Sequence, residues 1–392
     1  MDFTFTEEQR AAVEAARAVF SDVAPDRVPS PALTPGAVAE DIDRQLWNEL
    51  ARTDLLGLTL SPDHGGAGLD PIALCLVLRE SAKVLARVPL LESCAVAMAV
   101  QRYGGSTLAA ELLPPAGRGE LILTVGANGR SGHDPAELAV AARRYGESGE
   151  SDEGLGAAAS GSGWVLDGVQ SAVPWAQVAD RIAIPAHTAG GRPVLALVPR
   201  TRDGVTLADQ VSTSGERLAE VRLDGARVTD RELIDVPGCW EWLRSLLTTG
   251  TCALALGLGE RVLAMTAAYT GEREQFGFPV ATFQAVAVQA ADRYIDLRAM
   301  EATLWQAAWR ISADAGGPMP TAGDVAVAKI WASDGVRRVV QTAQHLHGGF
   351  GADTDYPLHR FHAWAKQIEL SLGPAAAHEE ALGDLLAAHP LG

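Results

Sequence analysis

The chain has 392 residues, 47% of them hydrophobic and 21% charged, with 32 Lys and Arg against 49 Asp and Glu for a net charge of -17. That length points to two or three domains, the apolar content excludes global disorder, and the acidic balance disfavours nucleic acid and anionic lipid as partners. The first residues, Met1 to Glu8, lack the basic and apolar stretches of a secretory leader, and the four cysteines are scattered with no Cys-x-x-Cys pair, so a reducing cytoplasm is expected and a zinc site is not.

Thr6 and Gln9 have capping-box spacing ahead of an Ala/Val-rich run, which predicts a first helix to Phe20. A Pro-rich link from Pro25 to Pro35 follows. Ile42, Leu46 and Leu50 then recur every fourth residue with Gly57 as a stop, predicting a second helix. Ser61 to Leu69 reads as a turn-forming loop, and residues from Pro71 to about Tyr103 as helix broken near Pro89. From Leu121 the texture changes to short apolar runs such as Arg181–Pro185 and Pro193–Val198, and Ala219–Leu223 alternates with period two. Gly146 to Gly163, with its acidic core Glu147–Glu153, reads as a solvated loop. Beyond Pro237 the helical period returns in four stretches, Leu243–Tyr269, Phe283–Ile311, Lys329–Leu346 and His359–Leu386. The expected fold is therefore α+β and multidomain: an N-terminal helical domain (1–120), a middle antiparallel β-domain (121–236) and a C-terminal four-helix bundle (237–392). The longest apolar runs, such as Cys94–Val100, fall well short of the roughly 20 residues of a membrane span.

Arg273 ends one long helix and Phe283-Gln284 opens the next; a planar guanidinium there suits a pyrophosphate and an amide suits an adenine or ribose edge, while a simple helix-end arginine explains the same residues. His347-Gly-Gly-Phe-Gly351 taken alone is a helix stop. The histidines 345, 347, 359 and 362 lack partners at metal-ligand spacing, no Gly-x-Ser-x-Gly elbow occurs, and Gly257-Leu-Gly259 has Val262 where a dinucleotide fingerprint needs its third glycine. The tryptophans at 240, 242, 305, 309, 331 and 364 read as core or interface rather than as the lining of an acyl pocket.

Taken in order, Pro62-Asp-His-Gly-Gly-Ala-Gly68, Gly168, Ala179-Asp180, Arg273-x-x-Phe-Gly277, Phe283-Gln284 and His347-Gly-Gly-x-Gly351 resemble the acyl-CoA dehydrogenase family from end to end. The resemblance implies FAD, an acyl-CoA thioester substrate and α,β-dehydrogenation, with a glutamate taking the α-proton while the β-hydrogen leaves as hydride. The two places where such a glutamate stands in the family fall here on Leu372 and near Leu247; Glu369 and Glu241 are displaced candidates. The flavin loop also departs, reading Leu123-Thr-Val-Gly-Ala-Asn-Gly129, with Ala172-Val-Pro-Trp175 beside it.

What is kept belongs to the half of a cofactor site that one subunit lends to its neighbour: Arg273, Phe276, Phe283, Gln284, Gly348 and Gly349. The chain thereby resembles the catalytically silent subunit of the actinobacterial heterotetrameric acyl-CoA dehydrogenases of steroid side chains, which implies a paralogous partner in a dimer of dimers. A self-sufficient flavoenzyme using Glu369 or Glu241, and a non-enzymatic assembly subunit, are the alternatives.

Overall fold

The computed structural model describes residues 4–25, 37–39, 42–131, 137–144, 163–313, 316–317 and 319–389. The Pro-rich link and the acidic loop named above lie almost wholly outside the described residues.

Among the described residues, five α-helices come first: α1 (Glu7–Phe20), α2 (Arg44–Arg52), α3 (Pro71–Ala82), α4 (Leu90–Tyr103) and α5 (Ser106–Gly117). The capping box at Thr6 forms as its spacing predicts, with the Gln9 amide N–H donating to Thr6 Oγ1 and the Gln9 side chain accepting from the Thr6 N–H. Asp43 caps α2, which stops at Thr53 rather than Gly57, because Asp54 takes a left-handed backbone with φ 57°. Prolines 114 and 115 sit inside α5, which the sequence pattern did not announce.

Eight strands follow among the described residues: β1 (Leu123–Val125), β2 (Val140–Arg144), β3 (Gly163–Pro174), β4 (Arg181–His187), β5 (Pro193–Pro199), β6 (Val205–Val211), β7 (Arg217–Thr229) and β8 (Leu233–Ile234). Their order is β6-β7-β3-β2-β4-β5-β8, with β1 alongside β4. The sheet is mixed rather than purely antiparallel. β1 runs parallel to β4, and β2 meets β4 in parallel at Ala141 and His187, because the chain crosses back between these strands instead of turning in a hairpin.

The C-terminal part holds α6 (Cys239–Glu272), α7 (Gln284–Ala313), α8 (Thr321–His347), α9 (Leu358–Leu370) and α10 (Ala375–Ala388). The last expected helix is thus two, parted where Leu372 (φ 58°) and Gly373 (φ 94°) turn left-handed ahead of Pro374. By length and composition α6 could cross a membrane, yet 61% of its apolar window is buried inside the protein, where it forms the axis of the bundle.

Gly257 lies at the closest approach of α6 to α3: a Cβ there would stand 1.9 Å from the Arg79 carbonyl oxygen. Its glycine is explained by helix packing, and the Arg79 side chain fastens the same contact by pairing with Glu260 and, at 3.1 Å, with Glu301 of α7. Gly257→Ala is expected to pry the helices apart and lower stability by about 2 kcal/mol, read as a reduced urea midpoint with an unchanged slope; an unchanged midpoint would contradict this packing.

Candidate functional site

A cavity of about 350 Å3 opens where α3, α4, the end of β3, the β6–β7 turn, α6 and α9 meet. Leu247 of α6 and Leu372, just after α9, both line it, so the two positions that sequence reasoning paired do converge in space. Neither side chain can exchange a proton. The Leu372 carbonyl accepts a 2.8 Å hydrogen bond from His378 Nε2, which fixes the left-handed turn. Glu369 points elsewhere, its Oε1 held 3.0 Å from Lys366 Nζ, and Glu241 is exposed in the first turn of α6; neither lines the cavity.

One carboxyl that the sequence reading missed does line it. Glu92 of α4 accepts a 3.2 Å hydrogen bond from the Trp175 indole N–H, and burial pushes its acid up to about 7. Its signal was a lone acidic residue in the apolar run Leu90–Val100. Glu216 also borders the cavity but is paired with Arg87 at 2.5 Å. Trp364 packs against the core and also lines the cavity; Trp240 and Trp305 are buried as expected.

The loop beside this cavity has most of its polar groups engaged within the sheet; Gln170, which packs on Gly126, is the exception, fully buried with its side-chain amide unpartnered among the described residues. Thr124 Oγ1 donates to the Pro174 carbonyl (2.6 Å), Asn128 Nδ2 to the Ala172 carbonyl (3.1 Å) and Ser171 Oγ to the Arg130 carbonyl (2.7 Å). The Gly126 and Ala172 amides are bonded to the Ala183 carbonyl and the Gln210 side chain. These groups leave a flavin ring few donors, so this half of a flavin site does not fit the residues present.

The opposite situation holds at the far end of the bundle. Arg273 follows α6, and two short strands, β9 (Glu274–Gln275) and β10 (Phe278–Pro279), turn the chain toward α7. Phe276 is 90% exposed at φ 55°, its ring edge-on to Phe283 at 6.4 Å, and Gln284 is exposed at the start of α7. Arg273 is exposed, and its guanidinium makes no ion pair with the described residues. Tyr269, one turn before Arg273, stacks on His347 at 4.4 Å and on Phe350 at 5.2 Å, and its hydroxyl donates to the His347 carbonyl. That stack joins the Arg273 corner to the exposed Gly348-Gly349 turn. An exposed cation, aromatic rings and side-chain-free backbone at one bundle end fit the phosphate and adenine parts of a nucleotide.

Two family models match the chain: acyl-CoA dehydrogenase, N-terminal domain, over residues 6–120, and acyl-CoA dehydrogenase, C-terminal domain, over residues 247–386. Acyl-CoA dehydrogenase FadE27 of Mycobacterium tuberculosis is 35% identical over 353 residues, 89% of each chain. The chain belongs to the acyl-CoA dehydrogenase family. FAD is the cofactor of that family. A chain in the ChsE4-ChsE5 complex from Mycobacterium tuberculosis superposes with a TM-score of 0.87 at 34% identity, over 100% of both chains. A steroid acyl-CoA dehydrogenase, the Tcur3481-Tcur3483 G363A variant, gives 0.84 at 35% identity over 97% of this chain and 98% of that one. Butyryl-CoA dehydrogenase of Megasphaera elsdenii, at 22% identity, shares the fold with a TM-score of 0.83 over 99% of this chain and all of the other.

Proposed function

We propose that this acyl-CoA dehydrogenase family chain is the non-catalytic subunit of a two-chain enzyme that dehydrogenates a bulky acyl-CoA, such as a steroid side-chain thioester, and that it lends its partner the adenylate half of the FAD site. The reading is carried by a division within one molecule: Leu247 and Leu372, where the resemblance places the base, line its own cavity, while an open, cationic corner stands at Arg273. Resemblance to a chain from a two-protein complex and to a steroid acyl-CoA dehydrogenase supports the same reading.

In this arrangement Arg273 binds the pyrophosphate, Phe276 and Phe283 cover the adenine, Gln284 bonds an adenine or ribose edge, and Gly348-Gly349 allow the nucleotide to lie against backbone. The α-proton passes to a carboxylate of the partner. When bound, FAD takes the β-hydrogen as hydride.

The test is flavin content. Purified with its paralogous partner, the complex should carry one FAD for every two chains, and Arg273→Ala should weaken FAD retention about tenfold, as loss of a charge-assisted bond does. A homomer of this chain alone that holds one FAD per chain and turns over acyl-CoA would overturn the reading.

A further inference from the structure

The cavity that places Leu247 and Leu372 together has the volume of a small-molecule site, about 350 Å3. Its deep walls are apolar: Leu78 and Leu91 on one side, Leu247 on another, all nearly inaccessible to bulk solvent. Val211 and Thr213 are exposed at its rim. Leu91 packs where a side chain on Gly250 would have to go, which sets α4 directly on α6 and brings Glu92 to the same space as Leu247.

Glu92 is the carboxyl within those walls; the Thr251 hydroxyl, also buried there, already donates to the Leu247 carbonyl at 2.9 Å. The Glu92 carboxyl receives the Trp175 indole N–H and its own backbone N–H, and no other residue hydrogen-bonds to it among the described residues. The other charged residues at the lining are paired, Glu216 with Arg87 and Arg217 with Asp209 at 2.9 Å. Cys94, on the same helix, is buried with its thiol pushed up to about 12, so it stays neutral. A carboxyl with spare hydrogen-bonding capacity among leucines disfavours a plain hydrocarbon, which would leave it unpaired, and also an anionic ligand, which would meet a like charge whenever Glu92 is ionised. An alcohol suits both protonation states: its oxygen accepts from the acid, and its O–H donates to the carboxylate.

We propose that this cavity is a ligand site in its own right, taking an uncharged, mainly apolar molecule whose hydroxyl hydrogen-bonds the Glu92 carboxyl. The inference rests on the reading above only in that no flavin ring competes for this space.

Titration calorimetry of the complex with decan-1-ol and with decanoate tests it, with variants made in this chain alone so that binding by the partner cancels. Leu247→Trp, which fills the cavity, should remove one saturable decan-1-ol site. Glu92→Leu should weaken that site about fivefold, the effect of one hydrogen bond, while Glu92→Gln keeps it within about threefold. Decanoate should show no site that Leu247→Trp removes. The proposal fails if Leu247→Trp leaves the decan-1-ol isotherm unchanged, if Glu92→Leu binds as well as the parent, or if decanoate occupies the site equally. Should Glu92→Leu not fold, the Leu247→Trp and decanoate comparisons still decide. Flavin measured in the same samples keeps the two ideas apart: FAD in every chain overturns the silent-subunit reading, whereas one per two chains with no removable decan-1-ol site overturns this inference alone.

Discussion

Lys329→Ala is expected to lower the unfolding free energy by about 3 kcal/mol, among the largest single-residue effects in the molecule. Lys329 lies on α8, 1% exposed, and its ammonium has three donors for three acceptors: Ser333 Oγ at 2.8 Å, the Glu369 carbonyl at 3.0 Å and the Ile368 carbonyl at 3.2 Å. Those carbonyls end α9, where helical bonding leaves oxygens without amide partners and the helix dipole favours a cation. Burial pushes the amine down to about 8, so it still carries its proton at neutral pH. Alanine strips donors from two buried carbonyls and opens a void besides. Lys329→Met restores most of the volume without the donors, and should recover about 1 kcal/mol of the loss. Urea unfolding followed by circular dichroism measures both; a loss under about 1 kcal/mol for the alanine variant would mean that water replaces the ammonium.

That lysine also marks where sequence reasoning stopped. It falls in Ala326-Val-Ala-Lys-Ile-Trp331, an apolar stretch whose period predicts a bundle helix whatever residue stands there. Ser333 is one turn away, but the two carbonyl partners come from a helix about forty residues on, so nothing local indicates that the charge is buried and capped. Glu92 escaped for the same reason: its partner Trp175 lies 83 residues away, across the sheet. What was legible was local or motif-borne. The Thr6 capping box, the return of the helical period after Pro237 and the spaced Arg273-x-x-Phe-Gly277 and Phe283-Gln284 all depend on neighbours within a few turns. The coincidence of Leu247 and Leu372 in one cavity was legible only through family resemblance, because the 124 positions between them must fold before they meet. The mixed pairing of β1 and β2 with β4 could not be read, since period-two alternation is blind to strand direction.

Acid should act on the same turn that carries Leu372. His378, on α10, is largely buried and its ring Nε2 donates to the Leu372 carbonyl at 2.8 Å; burial, the dominant cause, holds its imidazole well below the ordinary value of 6.5, at about 4. In the unfolded chain the same ring takes its proton near 6.5, so below that pH the unfolded state binds more protons than the folded one. The stability from keeping His378 neutral is therefore complete above pH 6.5 and is lost as pH falls toward 4, amounting to about 2 kcal/mol by pH 5. His347, lowered by burial as well and bonded through Nε2 to the Tyr356 hydroxyl at 3.1 Å, adds in the same direction at the nucleotide corner. His378→Gln offers a non-titrating amide that can donate to the same carbonyl. Its unfolding free energy should fall between pH 7 and pH 5 by about 2 kcal/mol less than that of the parent, and parallel pH profiles for the two proteins would show that His378 is protonated in the folded state without penalty.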